Sequence, residues 1–406
     1  MPISRAPTPV ASWKLTVDGR RIRHFWLLSA LRPLWVSLLI ASVLLNIAVY
    51  LTYVAARWSN NDFRLYYAGA EVGLRYGWSH IYDANLHQVA VAALRPVGQW
   101  YPLLTPAPIA WLVAPLTLIG YHAAYWTWVA ISLIALGLAA WYARPRQYSA
   151  ALYFVWWAAL GALWFSAYEG QVTILMAAAL LAGWRLLETR RDILGGVVLA
   201  ATLFKPHLVL LLPVALLVAG RYRAAASFAA VAGAAALGML VTLHPDGIQS
   251  YASMLLAPEA AGNTADTLRS ALAGGPAVLA IQACAVIAVI TVAVRCRRTN
   301  TVWPVVVSAV MGSFLLATYW HPQDYLVLDA AAAIILAATS TEAGVLVAAA
   351  IALVSIPVTP LTSRQTILAW LVITILVLAS MGIGVVKRRG LLRPTMTAPF
   401  PSRSTT

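Results

Sequence analysis

Four short polar stretches interrupt a very apolar chain, and each carries residue types able to do chemistry. The first, Asn60-Asn61-Asp62-Phe63-Arg64-Leu65-Tyr66-Tyr67, sets the Asp62 carboxylate beside Arg64 and two phenols, Tyr66 and Tyr67. At a bilayer surface a carboxylate can be a catalytic base, a proton relay, an ion ligand or a helix cap. The second, Tyr168-Glu169-Gly170-Gln171, supplies a carboxylate and an amide that can hydrogen-bond hydroxyl groups. The third, Lys205-Pro206-His207, sets a cation and an imidazole inside an otherwise hydrophobic run. The fourth, Tyr319-Trp320-His321-Pro322-Gln323-Asp324-Tyr325, pairs His321 with Asp324, which can orient it.

The elements that must position these residues are membrane helices. The 406 residues are 62% hydrophobic and only 10% charged, against about a quarter charged in a soluble domain. Many apolar runs approach the roughly 20 residues needed to cross a bilayer as a helix, and the alternating segments of a β-barrel are missing. The expected fold class is therefore an all-α polytopic membrane protein. Cys284 and Cys296 sit at opposite ends of one expected span, roughly 18 Å apart at the helical rise, too far for a disulfide. The net charge of +15 comes from basic clusters between apolar runs, among them Arg144 and Arg146, Arg190 and Arg191, and Arg295, Arg297 and Arg298. That punctuation is the positive-inside signature and reports orientation, not a nucleic-acid partner.

Placing every cluster in the cytoplasm puts both termini inside and the four polar stretches on or near the outer face. A basic tail over 1–32 precedes a single membrane domain over 33–390, and 391–406 has the composition of a disordered tail. The first span, about 34–55, delivers Asp62 outside, with 56–100 as a large outer loop. The segment 103–119, broken by Pro106, Pro108 and Pro115, reads as re-entrant or lying along that face. Spans follow at about 122–142, 149–166 and 171–187. A short hairpin over 193–220 has Lys205 at its apex, where Pro206 suits the first turn of the descending helix, whose free amides favour an anion. A second outer loop, 244–273, and later spans bring the expected count to about 12 helices, between 11 and 13.

On the outer face the parts then suffice for glycosyl transfer from a lipid phosphate: a carboxylate base for an acceptor hydroxyl, cations for the leaving phosphate, and aromatic walls for sugar and lipid. Asp62-Phe63 followed by Tyr66-Tyr67-Ala68-Gly69, Ile81-Tyr82-Asp83, Tyr101-Pro102, Gly170-Gln171 and Leu203-Phe204-Lys205-Pro206 resembles glycosyltransferase family 87, in order over about 60–225. The resemblance implies the C-type glycosyltransferase architecture and a polyprenyl-phosphate sugar donor, with mannose as the sugar. It also implies a lipid-linked or envelope glycan acceptor on the outer side of the plasma membrane. Asp62 would be the general base of a single inverting displacement. Lys205, His207, His321 and Arg64 would hold the donor phosphate. Tyr66, Tyr67, Asp83, Tyr101, Glu169, Gln171 and Asp324 would line the substrate site.

Blander roles stand beside these. Asp62 and Asp83 each precede an expected helix and can simply cap it, and the cap is favoured for Asp83. Arg64 can pair with Glu71 or snorkel to the interface. No HExxH, cysteine cluster or DxD pair is present, so no metal or other cofactor is expected. No GxxxxGKS/T loop offers a nucleotide site. A lipid or solute transporter or flippase using the same buried polar residues is the alternative function.

Overall fold

A computed structural model describes residues 32–57, 61–94, 100–256, 268, 272, 274–299, 301–317, 319, 321–339 and 348–349. Most of the expected 1–32 tail, much of the second outer loop, nearly everything expected beyond 339, and the 391–406 tail lie outside the described residues. Among the described residues the regular structure is helical throughout. Four helices among the described residues are long and apolar enough to cross a membrane, or five if one bent pair counts as a single span.

The first is α1 (Arg32–Arg57). Beyond it the segment 61–94 holds two helices, α2 (Phe63–Tyr76) and α3 (Ala84–Leu94), separated by a 3-10 turn at Trp78–His80. Gly77 ends α2 at φ 97°, a backbone conformation that costs glycine little. Asp83 caps α3, its Oδ1 accepting from the Leu86 amide at 3.0 Å. The face of α2 carrying Phe63, Tyr66, Tyr67 and Ala70 is buried, so this segment is part of the core.

His87 ties α3 to α2. Its Nε2 donates to the Leu65 carbonyl at 3.0 Å, and its Nδ1 accepts from the Trp100 indole at 3.2 Å. Both bonds together require the neutral ring. Burial, with Arg64 nearby, lowers the His87 pKa to about 4 although the Leu65 carbonyl opposes the shift. The unfolded chain takes up this proton near pH 6.5, so it binds more protons than the fold between there and about pH 4. Stability therefore falls as pH falls through that window, by roughly 3 kcal/mol for this one group. Thermal melting between pH 7 and pH 4 should show the loss, and His87→Gln should flatten it.

After the extended segment 100–107 comes α4 (Pro108–Val113), continued as a 3-10 stretch to Ile119. At 12 residues this is too short to cross a bilayer, in keeping with its prolines. Gly120 then starts α5 (Tyr121–Ala143), a full span.

The expected span over 149–166 is broken in two. Helix α6 (Ala150–Ala159), capped by the Ser149 hydroxyl, and α7 (Gly161–Glu169) meet at a 63° bend at Leu160. The Ala159 carbonyl released by the bend accepts from Ser42 Oγ at 2.8 Å and Asn46 Nδ2 at 3.0 Å, both on α1. An unpaired carbonyl in an apolar interior costs several kcal/mol, which accounts for two polar residues one turn apart on α1. The bend aims the end of α7 at the start of α2.

Helix α8 (Thr173–Glu188) packs against α5 and forms the middle of the bundle. The hairpin follows as α9 (Asp192–Leu199) with a 3-10 continuation to Phe204, then α10 (Leu212–Val218). Its base is closed by Arg221–Asp192 at 3.2 Å. The descending α-helix starts at Leu212, not at Pro206, which opens a single 3-10 turn over Pro206–Leu208. The descending helix therefore does not set its N-terminus beside Lys205, and the expected anion cradle on that helix's amides is absent.

Helix α11 (Tyr222–Leu256) is two helices joined at a kink at His244, φ 55° and ψ 176°, followed by Pro245. Its second half lies on the 3-10 turn at Trp78–His80: Gly247 meets the Ser79 carbonyl so closely that a Cβ would stand 2.7 Å from it. Helices α12 (Pro276–Thr299), α13 (Trp303–Leu316) and α14 (Tyr325–Ala338) complete the bundle, with a 3-10 turn at Pro322–Asp324. The first amide of α13, that of Trp303, donates to Oε1 of Glu188 at the end of α8 at 3.2 Å.

Candidate active site

The broken helix ends converge on one cavity of about 310 Å³. Asp62 and Tyr66 come from the start of α2, and Tyr101–Thr105 form a wall. Phe165, Glu169 and Gln171 come from the α7–α8 junction, Lys205 from the hairpin apex, and Tyr319, His321, Pro322 and Gln323 from the segment before α14. The wall is fixed from outside: Tyr82 donates to the Thr105 carbonyl at 2.8 Å and Tyr251 to the Leu104 carbonyl at 3.3 Å. The two phenol rings stack with centroids 4.3 Å apart.

Asp62 precedes α2, yet its side chain makes no capping bond. That role falls to Asn61, whose Oδ1 accepts from the Arg64 amide at 3.3 Å and from the Tyr121 hydroxyl at 2.8 Å. The Asp62 carboxylate instead accepts at Oδ2 from Gln171 Nε2, and from Gln323 Nε2 at 3.5 Å. Its backbone amide donates to Glu169 Oε2 at 2.9 Å. Tyr66 donates to Gln171 Oε1 at 3.0 Å. Burial first, then the Asp62 and Asp324 carboxylates, raise the Tyr66 phenol well above its ordinary range, so it stays protonated and a donor.

Gly170 makes this meeting possible. It ends α7 in the left-handed region, φ 62°, and a Cβ there would stand 2.7 Å from that of Phe63. Phe63 thus seats directly on Gly170, which sets Asp62 against Gln171. Gly170→Ala adds a clash to a backbone strain of about 1–3 kcal/mol. It should lower both melting temperature and activity, whereas Gly137→Ala, in open space on α5, should leave both nearly unchanged.

At the far side, Lys205 Nζ donates to Asp324 Oδ1 at 2.7 Å, with the two side chains 6% and 0% exposed. Asp324 Oδ2 accepts from the His321 backbone amide at 2.9 Å, so the Asp324 carboxylate holds the His321 backbone. Burial pushes the Asp324 carboxyl up, but Lys205 and the two imidazoles outweigh it and hold it below the usual range. An ammonium has three donors; one of them is spent on Asp324.

The remaining expected site residues fall elsewhere. Asp324 lies behind Lys205, outside the lining. His207 packs on Tyr319 with centroids 4.2 Å apart and the rings tilted by 40°. Tyr67 donates to the Thr117 carbonyl at 3.3 Å and Asp83 caps α3, both outside the lining. Arg64 is buried on α2 and neither snorkels nor lines the cavity; Glu71 pairs with Arg75, at 3.6 Å. Gln323 was not singled out in the sequence, although it lies between two residues that were.

The model for glycosyltransferase family 87 matches residues 104–318, more than half the chain. The chain belongs to glycosyltransferase family 87. No curated protein and no solved structure matches it. The family 87 match contains Glu169, Gln171 and Lys205 and runs about 110 residues past Pro206, through α13. Asp62, His321 and Gln323 flank it. The cavity of this glycosyltransferase is thus closed by residues from both sides of the matched segment.

Proposed function

We propose that this glycosyltransferase moves a hexose, mannose by the family resemblance, from a polyprenyl-phosphate donor to a lipid-linked or envelope glycan acceptor, with Asp62 as base. The observation that carries the reading is the presence, in the lining of one cavity, of a carboxylate held by neutral amides and of the Lys205 ammonium.

In this reaction the acceptor hydroxyl gives its proton to Asp62 as its oxygen bonds to the anomeric carbon. The bond from that carbon to the phosphate oxygen breaks at the same time, and the electron pair leaves with the lipid phosphate. Lys205, with His321 beside it, offsets the negative charge that develops there. One displacement inverts the anomeric centre. The aromatic wall at Tyr101, Phe165 and Tyr319 suits a sugar face. No nucleic-acid partner or cofactor enters the scheme.

The active site faces the outer side of the plasma membrane in this reading, with both termini in the cytoplasm and about 12 membrane helices of C-type arrangement. The distribution of basic clusters supports that orientation. Purified protein offered a polyprenyl-phosphate hexose or the corresponding nucleotide sugar should transfer from the first alone. Transfer from the nucleotide sugar alone would overturn the donor assignment, and directional solute flux without product would favour a transporter.

A further inference from the structure

The two oxygens of Asp62 are not equivalent. Oδ2 receives Gln171 Nε2 and Gln323 Nε2, whereas among the described residues no hydrogen bond reaches Oδ1. Each amide comes from a different element, and that of Gln323 leaves its Oε1 without a hydrogen-bond partner among the described residues. Gln171, 2% exposed, follows Gly170 and has its Oε1 occupied by the Tyr66 hydroxyl. Gln323, 4% exposed, sits in the 3-10 turn before α14, where its carbonyl accepts from Ser166 Oγ at 3.1 Å. Ser166 in turn accepts from Thr173 at 3.2 Å.

An ionised carboxylate only accepts, and an amide offers donors at one end and an acceptor at the other. Tyr66, by donating to the oxygen of Gln171, therefore turns its NH2 towards Asp62. We propose that Gln171 and Gln323 form an amide clamp that anchors Oδ2 and reserves Oδ1 as the oxygen that takes the acceptor's proton. Tyr66 sets the sense of the clamp. All three are positioning residues acting through Asp62, and Gln171 does not read a sugar hydroxyl. The inference rests on Asp62 being the base.

The clamp predicts a change in kcat with little change in KM, because it acts on the reacting carboxylate and not on bound substrate. Gln171→Ala or Gln323→Ala should lower kcat about 10–100-fold, the size of a lost hydrogen bond to a charged acceptor, with both KM values within about twofold. Gln171→Met, which keeps the side chain's length without its amide, should match Gln171→Ala. Tyr66→Phe should lower kcat in the wild-type background and add nothing to Gln171→Ala. A rise in KM at unchanged kcat would make the glutamines substrate ligands and overturn the clamp. Additive effects of Tyr66→Phe and Gln171→Ala would also overturn it. Asp62→Asn, measured alongside, separates the two levels: if it keeps wild-type rate the base assignment itself fails, and if it is inactive only the clamp is at stake.

Discussion

Asp62→Asn should lower kcat by about 10²–10⁴-fold, the usual contribution of a general base, while melting temperature and KM for the donor stay close to wild type. The substitution keeps the shape of the side chain. It also keeps, in the place of Oδ2, an oxygen able to accept from both glutamine amides, so the site has no reason to collapse. What is lost is the capacity to take a proton. A structural cap would behave in the opposite way, with stability falling by about 1 kcal/mol and rate preserved; the absence of any side-chain capping bond at Asp62 argues against that outcome. Steady-state kinetics of the variant with a thermal melt decide between them.

The second large effect is expected at Lys205 and Asp324. Each partner is almost wholly buried, so removing one strands the other. Asp324→Ala should destabilise the protein by about 3–5 kcal/mol, and with it the His321 backbone anchor. Lys205→Met should do similar damage from the other side. The double variant Lys205→Met/Asp324→Leu replaces the pair by apolar groups and should recover most of the stability. Transfer should not return with it, because the cation facing the phosphate is still missing. Thermal melts and initial rates for the two single variants and the double one separate the structural share of the pair from its catalytic share. A double variant both stable and active would remove Lys205 from the phosphate site.

Much of this site is legible in the chain because ionisable residues are costly in an apolar environment. Asp62, Glu169, Lys205 and His321 break the hydrophobic runs, and those breaks are where the helices end and the cavity opens. Gln323 gave no such signal. An uncharged amide between His321 and Asp324 looks like loop polarity, and only the turn at Pro322–Asp324 brings it to Asp62. The bend at Leu160 was hidden in the same way, inside a run apolar enough to be one span. Its trace lies far away, in Ser42 and Asn46, two polar residues one turn apart on α1 that satisfy the released carbonyl. Pro206 misled in the other direction. Proline suits a helix start, but the chain makes a single 3-10 turn there, and Pro213 is the one that opens the descending helix.

The most direct test of the account follows the reacting carbon itself. A polyprenyl-phosphate hexose carrying ¹³C at the anomeric position, incubated with wild-type protein and a glycan acceptor, can be monitored by NMR through a single turnover. The account predicts that the label moves from its phosphate linkage to a glycosidic bond and that its configuration inverts. Transfer with retained configuration, or no transfer from this donor by folded protein, would contradict it.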